Sequence, residues 1–386
     1  MLYESLRYFA GAKTPSTEFT VGTGDELSLP EDSWNDPFAA DGGFAYCAKP
    51  FNLVISDVGT SYDSDQLPGS AFSNYKGLLP SGMSGLNVSD WTKTISDKEN
   101  VSGNTFFIGE VKEQNNAGLP TAKTITNLAE IRGLAPMEPT KQGSYYAAGL
   151  AYYGQMTDIN PATGGQKPKT VVVAMASNLP QIIIRTPKGA VTLIPFAKSP
   201  KDKGNSIDPS FGKFQPTNGI VDFYVEKITP TEGAFRVNFE DVEQGADHDM
   251  DMIVLYQYKV QDDGSLSITL TSEYSAGNTE QHAGYVISGT TKDGVYMDVY
   301  DIDTSTQTAY YMDTPLADDL PYPYNSRSVG SNKSALLPLV RTRSFTADSS
   351  KSAANFLPSP LWYAAKWGSF NDKNGNGIPD SGEWDT

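Results

Sequence analysis

Cysteine, histidine, positive charge and long apolar runs are all scarce in this sequence, and each scarcity closes off a class of protein. A single cysteine, Cys47, rules out an internal disulfide while leaving the redox compartment open. The two histidines, His248 and His282, stand far apart in the chain, so a histidine-rich transition-metal centre has no basis. No G-x-S-x-G elbow occurs and no histidine adjoins Cys47, which leaves nucleophilic hydrolysis without visible machinery. Paired carboxylates for glycoside cleavage stay open, because acids are plentiful and a sequence carries no distances. With 29 basic against 46 acidic residues the formal charge is −17. That balance excludes nucleic acid and anionic membrane surfaces as partners, both of which demand a cationic face. No apolar run reaches the ~20 residues that span a bilayer, so no membrane insertion is expected. The first residues, M-L-Y-E-S-L-R-Y-F-A, lack the basic and apolar regions of a signal peptide.

What is abundant points to β-structure with long loops: 35 Gly, 25 Pro, 21 Tyr and 17 Phe, with few Ala/Leu-rich stretches. The chain opens on an amphipathic helix, Leu2, Leu6 and Phe9 on one face, that reads as cut from a larger element. Phe51 to Ile55 then form an apolar run ending at Asp57, the pattern of a buried parallel strand with a polar residue at its carboxyl edge. A long irregular insertion is expected over about 58–126. Short helices are expected at 127–132 and 144–154, and strands at 170–177, 182–184 and 191–196, which is α/β order. Residues 201–219 have linker composition. From 220 to 313 short alternating runs joined by Asp-Asp-Gly and Lys-Asp-Gly turns argue a β-sandwich-like domain. Residues 314–386 read as a Pro/Ser-rich linker, in which Arg341 and Arg343 wrap the core, then a short helix with Ser359 as cap and Pro360 at its first position.

That helix leads into the most informative stretch. From Asp372 the spacing is D-x-N-x-N-G-x-x-D-x-x-E, the twelve-residue oxygen loop that wraps calcium in an EF-hand. Asp372, Asn374 and Asn376 take positions 1, 3 and 5. The Ile378 carbonyl takes position 7, Asp380 position 9 and Glu383 position 12. Pro379 has no N–H to bond across to a partner loop, so the loop reads as solitary. Three carboxylates and two amides suggest extracellular-type affinity, Kd on the order of 10⁻⁴–10⁻³ M.

Two further acidic groups are candidate cation sites. Asp57, Ser61, Asp63 and Asp65 follow the first strand, and the competing reading is an Asx-rich turn. Asp247, Asp249 and Asp251 would share one face of a strand, where three ionised carboxylates repel unless solvent or a cation intervenes. A solvated acidic turn accounts for them more simply.

Five segments occur in an order that resembles the PilY/PilC-type proteins of type IV pili. The first is Cys47 to Asp57 (C-A-K-P-F-N-L-V-I-S-D), followed by Ser61 to Gly69 (S-Y-D-S-D-Q-L-P-G). The second is Pro139 to Ala148 (P-T-K-Q-G-S-Y-Y-A-A), and the third is Asn238 to Asp251 (N-F-E-D-V-E-Q-G-A-D-H-D-M-D). The fourth is His282 to Thr291 (H-A-G-Y-V-I-S-G-T-T), and the last runs from Leu361 (L-W-Y-A-A-K-W-G-S-F-N-D) through Glu383 to Asp385 (E-W-D). The resemblance implies a secreted protein with a von Willebrand A-like region followed by a calcium-binding β-propeller. Such a protein acts at the pilus tip with minor pilins, in pilus assembly, retraction control and adhesion to host or abiotic surface ligands. On this reading residues 1–200 are a partial von Willebrand A-like α/β domain lacking its first strand and metal loop, and Asp57 matches the later aspartate of that fold. The propeller would begin where this sequence stops. The fold class expected is therefore α/β plus all-β: a partial A-like region, a β-sandwich-like domain and a C-terminal calcium loop. The function expected is non-enzymatic, with calcium as the bound ion and an extracellular address. A secreted calcium-stabilised polysaccharide-binding or polysaccharide-degrading protein is the alternative.

Overall fold

The amphipathic N-terminus forms helix α1, Leu2–Phe9, and the apolar spacing that predicts it also sets its inward face: Tyr3 and Leu6 are fully buried. The computed structural model describes residues 1–17, 33–41, 43–45, 47–56, 59–75, 79–112, 121–137, 141–162, 164–174, 180–201, 217–240, 250–276, 280–302 and 337–384. Strand β1, Phe51–Ser56, follows. The next segment is not the irregular insertion expected over 58–126. It contains helix α2, Val88–Lys98, opened by Asn87, whose side chain accepts from the Ser89 and Asp90 amides. The inward face of α2 is Val88, Thr92, Ile95 and Ser96, so half of it is polar by residue type and the helical period is muted in the sequence. Strands β2 (Thr105–Ile108), β3 (Glu110–Val111), β4 (Thr121–Thr124) and β5 (Ile131–Arg132) make two small antiparallel pairs, β2 with β4 and β3 with β5. The short helix expected at 127–132 is a single 3-10 turn, Leu128–Glu130, running into β5.

Helix α3, Tyr146–Met156, is apolar almost all round, and its residues from Ala148 to Gly154 are buried. It leads to β6, Lys169–Ala174, which pairs in parallel with β1 in the register Phe51↔Lys169 to Ser56↔Ala174. Parallel strands need a long crossover, and α2 and α3 lie in the connection between these two.

The remaining strands form two antiparallel sheets. They are β7 (Ile182–Thr186), β8 (Gly189–Lys201), β9 (Gly219–Ile228), β10 (Glu232–Glu240), β11 (Met252–Val260), β12 (Ser265–Ser275), β13 (Glu280–Ser288), β14 (Gly294–Tyr300) and β15 (Val340–Thr346). One sheet has the order β15-β12-β11-β10-β9 and the other β14-β13-β8-β7. Alternation sets the facing sides: Val254, Tyr256, Leu266, Ile268 and Leu270 of the first sheet share one core with Leu193, Phe196, Tyr285, Ile287 and Met297 of the second. The Tyr256 hydroxyl donates to the Gly284 carbonyl across that core at 2.7 Å. Strands from both sides of the expected 220–313 segment belong to this sandwich. β7 and β8 precede it, and β15 comes from the stretch read as a wrapping linker. Arg343 on β15 is buried and pairs with the fully buried Asp298 of β14, so it is a core cation tying the two sheets together.

Helix α4, Pro360–Gly368, starts as its sequence signals imply, with the Ser359 hydroxyl accepting from the Trp362 amide at 3.1 Å. Its end is pressed against the α/β part. A Cβ on Gly368 would meet Ala151 of α3 and Thr170 of β6, each at 2.8 Å, so glycine is required by close approach. Tyr363, Trp367 and Phe370 join Tyr145, Ala148 and Tyr152 in a second core, to which Ile378 and Trp384 of the C-terminal loop add their side chains.

Candidate metal centre

Asx chemistry folds the loop after α4. The Asp372 carboxylate accepts from three successive amides, Oδ1 from Gly375 (2.8 Å) and Asn376 (3.1 Å) and Oδ2 from Gly377 (2.9 Å). The Asn374 carbonyl oxygen accepts from the Asn376 amide, and that of Asn376 from the Ile378 amide. Gly375, Gly377 and Gly382 all have φ between 74° and 81°, the left-handed backbone that a loop turning this sharply needs. Glu383 closes the ring. Its Oε1 accepts from the Lys373 amide at 2.9 Å and its Oε2 from the Asp380 amide at 3.3 Å, while its carbonyl accepts from the Asn371 amide at 2.7 Å. The first and last donors of the expected set are thereby brought together.

Inside the loop, Asn374 and Asn376 both donate their side-chain N–H to Asp380 Oδ2, at 2.7 and 2.8 Å. These two bonds, Asn374 first, hold the Asp380 carboxyl below the usual carboxylate range. Among the described residues no three His, Cys, Asp or Glu side chains are grouped for a metal ion. The loop depends instead on amide and carbonyl oxygens beside its carboxylates, and hard oxygens of both kinds suit calcium. Asp372, Asn374, Asn376, Asp380 and Glu383 are joined by the loop's own hydrogen bonds, and the chemistry of their oxygen atoms suits that ion. The Ile378 carbonyl accepts from the Asp380 amide at 3.0 Å.

The fold also supplies a support that no sequence spacing indicates. Tyr152 of α3 donates its hydroxyl to the Gly377 carbonyl at 2.9 Å, across 225 positions of chain. Its ring packs edge-on against Trp91 and Trp367. Burial first, and then the Asp372 charge, raise the Tyr152 phenol above its ordinary value, so it stays a donor at neutral pH. Gln155 donates to the Phe370 carbonyl at 2.8 Å, and the Met156 methyl stands 3.0 Å from where a Gly377 Cβ would be. On the far side Trp384 packs against Trp362, with the Lys366 ammonium 4.6 Å from its ring centroid.

With this geometry, two family models match the chain. One, described as PilY1 homolog, second domain, matches residues 1–154, and one described as PilY1 homolog, beta-sandwich matches residues 184–336. A Xylella fastidiosa (strain Temecula1) protein named Type IV pilus biogenesis factor PilY1 homolog is 40% identical over 406 residues, covering 95% of this chain and 27% of its own length. The chain belongs to the PilY1 homolog family. It spans about a quarter of the length of the curated relative it matches. No solved structure matches it. The family's beta-sandwich match begins within β7 and so agrees with the two-sheet packing, while β15 extends the sandwich past the matched residues.

The other two acidic groups of this PilY1 homolog family member fare differently. Asp57 lies outside the described residues; Ser61 and Asp65 are exposed. Asp63 is turned inward, where its Oδ1 accepts from the Ser144 amide just before α3 at 2.6 Å. Burial pushes its carboxyl up to about 6, against the pull of that hydrogen bond. Its neighbours Tyr62 and Gln66 have φ of 45° and 51°, so the turn is a constrained one. Asp247 and Asp249 lie outside the described residues. Asp251 is buried, and its carbonyl accepts from the Ala276 amide at 3.0 Å, so it is tied into the sandwich.

Proposed function

We propose that this chain is a non-enzymatic, calcium-binding, extracellular part of a type IV pilus factor that acts with minor pilins in pilus biogenesis and surface adhesion. Membership of the PilY1 homolog family supports the pilus assignment, since the Xylella relative is named a type IV pilus biogenesis factor. The calcium reading rests on one observation above others: Glu383 at loop position 12 folds back onto the amides of Lys373 and Asp380. That contact brings the last expected ligand residue back beside the first, since Lys373 follows Asp372. Calcium would offset the mutual repulsion of the Asp372, Asp380 and Glu383 carboxylates. This chain's own residues do the rest: Tyr152 fixes the loop on α3, and Ile378 and Trp384 anchor it in the core shared with α4. Stabilisation by a ligand that binds the folded state follows RT ln(1 + [L]/Kd), about 1.4 kcal/mol when calcium is tenfold above Kd. A site of that affinity works where calcium is abundant, which suits the cell surface.

The parallel pair β1–β6, with α3 and α4 packed on one side, supports the partial von Willebrand A-like reading of the N-terminal part. His282 is fully buried beside Glu280 and is out of reach of a substrate, which supports a non-catalytic role. Isothermal titration tests the metal reading: calcium binding is expected for the native chain and its near-complete loss in Glu383→Ala, while an unaltered isotherm sinks it. Deleting the corresponding gene is expected to reduce surface pili, and unchanged piliation and adhesion would count against the pilus assignment.

A further inference from the structure

Three Asn-Gly units occur in the sequence: Asn218–Gly219, Asn374–Gly375 and Asn376–Gly377. Asparagine is chemically labile, and most so before glycine, whose missing Cβ leaves its nitrogen free to approach the preceding side chain. In deamidation the glycine nitrogen bonds to the asparagine Cγ and ammonia leaves, closing a cyclic imide. Water then opens the ring to aspartate or isoaspartate, so the net change is amide plus water to carboxyl plus ammonia. The fold treats the three units differently. Asn218 is buried in the sandwich, where its Oδ1 accepts from the Ser199 hydroxyl at 2.8 Å and its Nδ2 donates to Gln281 at 2.6 Å. Asn374 and Asn376 are exposed, so water reaches both. A Cβ on Gly375 would meet nothing within 4 Å, whereas Gly377 is backed by Met156 and its carbonyl is held by Tyr152. The Asn374 unit is therefore the more open of the two.

The loop's hydrogen bonds hold every group that this reaction must move. The Gly375 and Gly377 N–H groups both donate to the Asp372 carboxylate, so neither nitrogen is free to attack. The two leaving amides donate to Asp380 Oδ2 at 2.7 and 2.8 Å. Each asparagine carbonyl oxygen accepts from the backbone amide two residues on. Local opening of the loop releases all of these groups together. The products alter the loop in turn. Aspartate at 374 and 376 removes both donors from Asp380 and adds two carboxylates to those of Asp372, Asp380 and Glu383, which repel unless a cation intervenes. Isoaspartate lengthens the backbone and breaks the spacing of the turn.

We propose that Asn374–Gly375 and Asn376–Gly377 form a deamidation site, restrained by Asp372 and Asp380, whose aspartate products turn a self-supporting loop into one that needs a cation to hold its shape. Restraint comes from hydrogen bonds within the loop and stands whether or not the loop binds calcium. Only the cation's part rests on the calcium reading above.

Peptide mapping by mass spectrometry tests the site. The 386-residue chain is incubated at pH 8 without calcium and followed for the gain of about 1 Da that each conversion brings. Asn374 is expected to convert first and Asn376 after it, both at least tenfold more slowly than in denaturant, while Asn218 stays intact. Asp372→Ala should speed conversion at both loop sites at least fivefold. Asn218 should remain silent in that variant, which shows that the sandwich is still folded. An unchanged rate in Asp372→Ala would overturn the proposal, and so would equal rates at the loop sites in native and denatured chain. The double variant Asn374→Asp/Asn376→Asp isolates the consequence. Its melting temperature without calcium is expected to fall by a few degrees and to recover when calcium is added. No fall would overturn the proposed dependence. A fall that calcium fails to reverse would overturn the cation's part together with the calcium reading, while the mapping judges the modification separately.

Discussion

At the residue scale, the loop shows how a ligand pattern acquires a foundation. Tyr152 is not one of the expected ligands, yet its hydroxyl donates to the Gly377 carbonyl where the loop turns. Removing one buried neutral hydrogen bond costs on the order of 1 kcal/mol. Tyr152→Phe is therefore expected to lower the calcium-free melting temperature by a few degrees at most and to weaken calcium binding several-fold by titration. Asp63 makes a different prediction. A carboxyl whose ordinary value of 3.8 rises to about 6 on folding binds its proton more tightly in the folded chain. It therefore costs stability when ionised above pH 6, and that cost fades as pH falls toward 4. Asp63→Asn keeps an oxygen for the Ser144 amide, so it should raise the melting temperature at pH 7.5 and leave it unaltered at pH 4. A rise of equal size at both values would mean that packing, not charge, is responsible.

At the element scale, the most informative strand is β15. Its sequence, V-R-T-R-S-F-T, alternates apolar and polar residues imperfectly and carries two arginines, which reads as an exposed linker. The sheet makes it an edge strand beside β12, and places Arg343 on the inner face against Asp298, with its guanidinium 5.0 Å from the Tyr296 ring centroid. Burial raises the Asp298 carboxyl above its ordinary value even though Arg343 pulls it down, so the pair depends on the arginine to stay charged. Arg343→Ala should destabilise the sandwich by about 3–5 kcal/mol in urea melts, the usual cost of stranding a buried charge. Adding Asp298→Asn should recover part of that loss. Helix α2 carries the same lesson: Ser96 faces inward and accepts from the Leu128 amide, Thr92 is buried against Gly149 of α3, and nothing in their residue type announces it.

For the whole molecule, the C-terminal loop is a clasp. Residues 371–384 return to α3, and α4 lies against both α3 and β6, so the end of the chain locks the N-terminal α/β part. Phe107 extends from that part into the sandwich core, and the Phe106–Asn355 bridge ties the two regions further. Calcium bound in the clasp should act on the α/β part first. Chelation is expected to lower the melting temperature by a few degrees, with faster hydrogen exchange in α3 and α4 and little change in β11 and β12. Uniform loss of protection through the sandwich would contradict a local clasp.

Much of this was legible from residues alone, where the physics is local. The sharp turns of the 372–383 loop read directly, because each Asx side chain sits at a fixed offset from the next and the glycines supply the required φ. The α1 face, the Ser359 cap and the hairpins of β11–β12 and β13–β14 are short-range signals of the same kind. What local signals could not carry was long-range choice. Residues 169–174 and 51–56 become neighbours only by pairing across the crossover, and β7, β8 and β15 join the sandwich although composition placed them outside it. Tyr152 meets Gly377, and Asp63 meets Ser144, only because α3 is packed where it is. The order of residues set the Asx turns, the caps and the alternation, since these depend on neighbours within a few bonds. Tertiary structure alone decided which strands share a sheet and which charges are buried, since those depend on what the rest of the chain brings alongside.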